Sequence, residues 1–235
     1  MAEWKAKRFW TETGVTEDEE GFGVSLDGRP VRTPAKVPLL VPTRALAELI
    51  AEEWDAQEGE IDPNTMPATR SANSAIDKVA TQRAEVADLL SDYGDSDLLC
   101  YRAEAPEDLA AQQAEGWDPL LDWAATHLGA RLAPRGGVMH APQDAQALAA
   151  LRARVHALTP FELAAFHDLV TLSGSLILAF AVIQDRLAAE EAWRLSRLDE
   201  TYQIAQWGED EEAAEHAELK RQSFLHAARF YRVVN

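Results

Sequence analysis

Cysteine is nearly absent: the 235-residue chain has one, Cys100. No intramolecular disulfide can form, which points to a reducing compartment. Positive charge is scarce too, with 22 Lys and Arg against 40 Asp and Glu and a net charge of −18. Binding to DNA or RNA rests on cations that neutralise phosphates, and binding to anionic lipid surfaces needs the same groups. Nucleic acid is therefore no expected partner. Long apolar runs are missing as well. The longest uncharged stretch, residues 169–184, spans 16 positions and includes Thr171, Ser173, Gly174 and Ser175. A spanning helix needs about 20 apolar residues, so this segment reads as a buried helix and no membrane insertion is expected. The first ten residues carry Lys5, Lys7 and Arg8 but neither the apolar core of a secretory signal nor the length and Ser content of a mitochondrial presequence.

Catalytic and metal motifs are also absent. There is no Gly-rich phosphate loop, no G-x-S-x-G, no H-E-x-x-H and no paired C-x-x-C. Glu212 and His216 lie one helical turn apart, but a di-metal site needs carboxylates from several helices. Asp92, Asp95 and Asp97 mimic a calcium loop without its required glycine. Cys100 sits in an apolar stretch with no base beside it, the setting of an inert thiol. No catalytic residue, metal or cofactor is expected.

What is present is a globular composition, 47% apolar and 26% charged, with seven tryptophans. Trp54, Trp117 and Trp207 keep polar company. Buried indoles fill cores, and amphipathic Trp also anchors protein partners.

The first forty residues read as β structure. Short runs at 8–11 and 23–26 precede Asp27-Gly28, the residue pair that a tight hairpin turn requires, and 31–33 returns antiparallel. Residues 39–41 supply a further edge. Thr43 caps a helix with Leu46, Leu49, Ile50, Glu53 and Trp54 on one face. Residues 61–70, with two prolines, read as an ordered linker. Helices are then expected at about 71–93, 107–114, 119–128, 143–158, 160–187, 190–206 and 210–233. The change of pattern near residue 68 predicts an α+β fold: a small N-terminal α+β domain at 1–68 and a C-terminal helical bundle at 69–235.

Seven segments in order carry a resemblance: LDGRPVRTPAK (26–36), LAELIAEEWDAQ (46–57), MPATRSANSAID (66–77), DLLCYRA (97–103), QQAEGWDPLLDW (112–123), LSGSLILAFAV (172–182) and LDETYQIAQWGEDEEA (198–213). Together they resemble the ATP synthase assembly chaperones, specific for the alpha subunit of the catalytic sector, of mitochondria and alphaproteobacteria. The resemblance runs from about residue 8 to residue 230. It implies a two-domain, non-enzymatic chaperone that uses no nucleotide and holds free alpha subunit until beta subunit replaces it. It also implies a client-binding set: Glu200 first, with Asp199, Gln203, Trp207 and Trp54. Without the extended presequence of the mitochondrial members, the expected setting is bacterial cytoplasm, with a processed matrix form as the alternative. The expected state is a monomer.

Two rival readings use the same residues. A small hydrolase would take Glu200 or Asp199 as its base, which needs a pocket and a second catalytic group. A permanent structural subunit would be insoluble or oligomeric alone. Calorimetric titration with Mg-ATP is expected to show no binding in the micromolar range, because no phosphate cradle exists in so acidic a chain.

Overall fold

The computed structural model describes residues 7–235. The basic stretch weighed as a targeting segment begins in residues 1–6, outside the described residues. β1 (Thr13–Asp18) and β2 (Gly21–Leu26) pair antiparallel, Thr13 opposite Leu26 and Asp18 opposite Gly21. The other edge of β2 is shared by β3 (Arg29–Pro30) and β4 (Leu40–Val41). Asp27 and Gly28 make the expected turn, both at positive φ (48° and 76°), which is the two-residue hairpin geometry that favours Asp-Gly. The strand expected at 8–11 is irregular chain with Trp10 buried, and the first strand lies at 13–18 instead. Its sequence, TGVTED, has Val15 as its one large apolar residue, so alternation is faint.

α1 (Arg44–Asp55) starts where expected, with the Thr43 hydroxyl accepting from the Leu46 N–H at 3.2 Å. Leu46, Ala47 and Ile50 are buried among Val24, Leu26, Val31, Leu39 and Val41. Glu53 reaches across to the following segment. Its carboxylate accepts from the Ala68 and Thr69 N–H groups at 2.6 and 2.8 Å and from the Thr69 hydroxyl at 2.7 Å. It thereby caps α2 (Pro67–Ser74), which begins on Pro67 and has no capping side chain of its own. Of the linker expected at 61–70, residues 61–66 form an ordered connector with a 3-10 turn at Pro63–Thr65, and 67–70 are this capped helix start. α2 runs into a π-helical turn, Ala75–Val79, and the chain breaks before α3 (Arg83–Ser91), where one unbroken helix was expected.

The chain divides into two compact units. The first is the chain up to Arg83 with Thr159–Ala165 and Arg229–Asn235; the second is Ala84–Leu158 with Phe166–Ala228. This differs from the division at 68/69 drawn from the pattern. Ala68 and Ala72 of α2 belong to the first core, and Ala165, Phe230 and Val234 return to it from far along the chain. Such returns leave no trace in local composition.

The second unit is helical apart from one short parallel bridge between β5 (Tyr101–Arg102) and β6 (Arg135–Gly136). Its residues come from α4 (Glu107–Trp123), α5 (Ala145–Ala157), α6 (Pro160–Ser173), α7 (Leu176–Ile183), α8 (Ala189–Ser196), α9 (Leu198–Trp207) and α10 (Glu211–Val234), with α6 and α10 contributing to both units. The fold is α+β with a helical C-terminal part, as the sequence predicts. The helices expected at 107–114 and 119–128 are one, running through Pro119 into a π turn at Ala124–Leu128. The long helix expected at 160–187 breaks at Gly174, whose φ of 74° suits glycine. The one expected at 190–206 breaks at Arg197. Among the described residues no helix is long and apolar enough to cross a membrane.

α7 is the core of this unit, buried from Leu176 to Val182. Asp97 lies at its N-terminus, fully buried. Its carboxylate accepts from the Ser175 hydroxyl at 2.7 Å, the Leu99 N–H at 3.0 Å and the Ile177 N–H at 3.1 Å. Burial pushes its pKa up to about 6 despite those bonds. The folded-state pKa thus exceeds the ordinary 3.8, so the stability Asp97 contributes is full below that value and is lost as pH rises through about 6. Two pKa units correspond to about 3 kcal/mol. The stability advantage of the wild type over Asp97→Asn is therefore expected to shrink by up to that amount as the pH is raised from about 4 to 7. Urea unfolding of both proteins across that range measures it, and a constant or growing difference contradicts it.

Candidate functional site

α9 has two unlike faces. On the inner one, Asp199 Oδ1 accepts from the Gln113 side-chain amide at 2.6 Å, and Gln113 in turn accepts from the Ala103 N–H at 2.8 Å. Tyr202 donates its hydroxyl to Asp108 at 2.9 Å, and partial desolvation with that carboxylate raises the phenol's pKa. Trp117, fully buried on α4, donates its indole N–H to the Leu195 carbonyl at 3.0 Å and so fixes the end of α8 from which α9 departs. The Asp199 and Tyr202 bonds tie the inner face of α9 to α4.

The outer face lies in water. Glu200, Gln203, Ile204 and Trp207 are exposed, Ile204 at 44% and Trp207 at 83%. The Glu200 side chain is 49% exposed and pairs with Arg197 at 3.0 Å, one turn back on the same edge. Arg197 also stacks over the Trp193 ring, 5.6 Å from its centroid. Gly208 ends α9, and Asp210 then caps α10 through the Ala213 N–H at 2.8 Å. Glu209, Asp210, Glu211, Glu212, Glu215 and Glu218 follow Trp207 as an exposed acidic stretch. No group of His, Cys, Asp and Glu among the described residues is arranged to hold a metal ion. Cys100 is buried, and burial pushes its thiol up to about 12.

The five residues singled out in the sequence therefore fall into three settings. Glu200, Gln203 and Trp207 come together on the open face of α9. Asp199, their neighbour, turns inward to hold the helix. Trp54 belongs to the other compact unit, half-buried against the first core, with its ring 5.3 Å from that of Trp10. Its acidic neighbours are engaged as well: Glu53 caps α2, and Asp55 pairs with Arg8 at 3.3 Å. Sequence reasoning passed over Ile204. The signal was available, since an Ile four residues after Glu200 and three before Trp207 is the apolar exception on a polar face.

The outer face of α9 thus presents exposed Ile204 and Trp207 beside Glu200 and ahead of an acidic stretch. The model of the ATP12 chaperone protein family matches residues 7–125. The mitochondrial protein atp12 of Schizosaccharomyces pombe is 30% identical over 222 residues, covering 89% of this chain and 76% of the relative. The crystal structure of Atp12 from Paracoccus denitrificans is 55% identical with a TM-score of 0.96, covering 99% of this chain and all of that one. An Asp-to-Lys variant of the same Paracoccus protein aligns over the whole of both chains with the same score and identity. The Atu1473 protein of Agrobacterium tumefaciens is 46% identical with a TM-score of 0.92, over 97% of this chain and 86% of that one. The chain belongs to the ATP12 chaperone family, the assembly chaperones of ATP synthase.

Trp54→Ala is expected to lower stability by about 3 kcal/mol, the low end for a Trp truncation because the ring is partly exposed. A thermal melt paired with a co-purification assay tests this. A variant that melts like the wild type yet loses its client would make Trp54 a contact residue and not a core one.

Proposed function

We propose that this protein holds the unassembled alpha subunit of the ATP synthase catalytic sector through the outer face of α9, as a monomer and without nucleotide. The observation that carries the reading is Trp207, 83% exposed beside Ile204 on a helix whose other face is bonded in place. A large apolar side chain kept in water on a rigid support is a poor choice for solubility and a good one for contact. Glu200 and Gln203 flank it, and the acidic stretch behind it adds steering and discriminates against wrong partners. Trp54 remains a second candidate contact, now in a separate unit. Asp199 acts through positioning α9.

An orphan alpha subunit leaves uncovered the apolar surface it later buries against beta, and such surface drives aggregation. A cover of about 800 Å² per partner is a standard stable interface. Release needs no ATP when beta binds the same surface more tightly, because mass action then favours the permanent pair. The absence of a membrane-spanning helix among the described residues and the single buried cysteine support a reducing aqueous compartment, the bacterial cytoplasm or a mitochondrial matrix.

The test is Glu200→Lys. An exposed ion pair contributes little to folding, so the melting temperature is expected to stay within a few degrees. Charge reversal at a contact that is desolvated only in the complex costs about 2–5 kcal/mol of binding, enough to abolish co-purification of free alpha subunit. A variant that holds the client at wild-type strength removes Glu200 from the contact.

A further inference from the structure

A bowl of about 430 Å³ opens between α4 and α8, lined among others by Gln112, Glu115, Pro119, Leu120, Arg186 and Leu198. Leu120, Leu195 and Leu198 make a buried apolar floor. Gly116 lies under the floor: a Cβ there would come within 2.8 Å of the tip of the Leu195 side chain, which would have to shift to admit it. The rim is charged. Arg194 is held by both oxygens of Glu191, at 2.6 and 2.8 Å, with Glu115 nearby in support. Arg186, in the turn between α7 and α8, is exposed and makes no side-chain hydrogen bond or ion pair among the described residues. Its backbone is nonetheless fixed, the N–H donating to the Ala181 carbonyl at 2.9 Å. Nearby arginines are all committed, Arg197 to Glu200 and Arg221 to Glu190 and Glu218. In a chain with a net charge of −18, a free guanidinium at the mouth of a leucine-floored bowl is an uncommon resource.

The occupant follows from shape and charge. An open bowl leaves one side of a small molecule in water, whereas well-used ligand sites enclose most of the ligand. A side chain delivered by a polypeptide is covered from behind by its own backbone. Arg186 asks for a carboxylate, and its planar fork matches one in two parallel bonds. The bowl's floor residue Leu198 begins α9 on the side of that helix opposite Trp207.

We propose that this bowl takes part of the client polypeptide: an aliphatic or aromatic side chain on the leucine floor, with an Asp or Glu close to it in sequence paired to Arg186. This rests on the reading that the chain holds the unassembled alpha subunit.

The test uses the full chain with free alpha subunit. Arg186→Glu is expected to melt like the wild type and to weaken capture by about tenfold or more, with Arg186→Lys falling between them. Gln112→Cys, on the exposed rim, is then labelled with a benzophenone maleimide; buried Cys100 stays unlabelled. Photocrosslinking followed by mass spectrometry is expected to return a client peptide in which Asp or Glu neighbours a large apolar residue. Wild-type capture by Arg186→Glu overturns the proposal, as does a crosslink confined to a segment without a carboxylate. If Glu200→Lys loses the client while Arg186→Glu keeps it, the α9 reading stands and the bowl falls. If Arg186→Glu alone loses it, the bowl stands and the α9 reading falls.

Discussion

A carboxylate with no counter-charge organises the helical unit. Asp97 takes the hydroxyl of Ser175 and the amide of Ile177 at the start of α7, and the amide of Leu99 on its own segment. α7 is buried from Leu176 to Val182, so no water can reach its first turn and its unpaired N–H groups need an internal partner. A cation beside Asp97 would satisfy the charge but compete with those amides. The helix N-terminus, positive by its dipole, takes the place of that cation. The tension is visible in the raised pKa: three hydrogen bonds favour the charged form, and burial outweighs them. Gly174 makes the geometry possible by turning the chain so that Ser175 can cap α7 while its own hydroxyl donates to Asp97.

Segments far apart in the sequence meet as pairs of contacting surfaces. DLLCYRA holds Asp97 and LSGSLILAFAV holds Ser175 and Ile177. EEWDAQ carries Glu53, and the MPATRSANSAID segment carries the helix start it caps. QQAEGWDP supplies Gln113, and LDETYQ supplies the Asp199 that binds it. What each group does was not legible, since a sequence displays a carboxylate without its partner. Asp199 and Glu200 show the limit well: adjacent, both acidic, one folded inward and one left in water. Local rules did work where local chemistry decides. The Asp27-Gly28 turn, the Thr43 cap and the shared face of Glu200, Gln203 and Trp207 depend on residues a few positions apart. Helix breaks at Gly174 and Arg197 and continuity through Pro119 depend on packing, and there the pattern misled.

The inner bonds of α9 have a consequence for its outer face. Binding costs free energy for every side chain and segment it must immobilise. Asp199 with Gln113 and Tyr202 with Asp108 order the helix before any client arrives, so Trp207 and Ile204 are presented from a support already fixed. The remaining cost is the exposure of apolar surface in the free protein. The acidic run after Gly208 offsets it, because molecules with like-charged surroundings around the same patch repel one another at short range.

That same charge bears on release. An assembly chaperone must bind tightly enough to prevent aggregation and loosely enough to be displaced by the permanent partner. Affinity from a large apolar interface is set mainly by a slow off-rate, whereas charge at a rim acts mainly on the rate of encounter. On the proposed reading, a small apolar centre, Trp207 and Ile204, within an acidic surround would combine rapid capture with limited residence. Raising the apolar area would protect the client better and hold it longer than assembly allows. On the proposed reading the placement of charge matters more than its amount: Glu200 lies beside the aromatic anchor, while residues 209–218 lie beyond it and act through the field. Carboxylates exposed elsewhere on the chain add to the self-repulsion that opposes aggregation of the free protein.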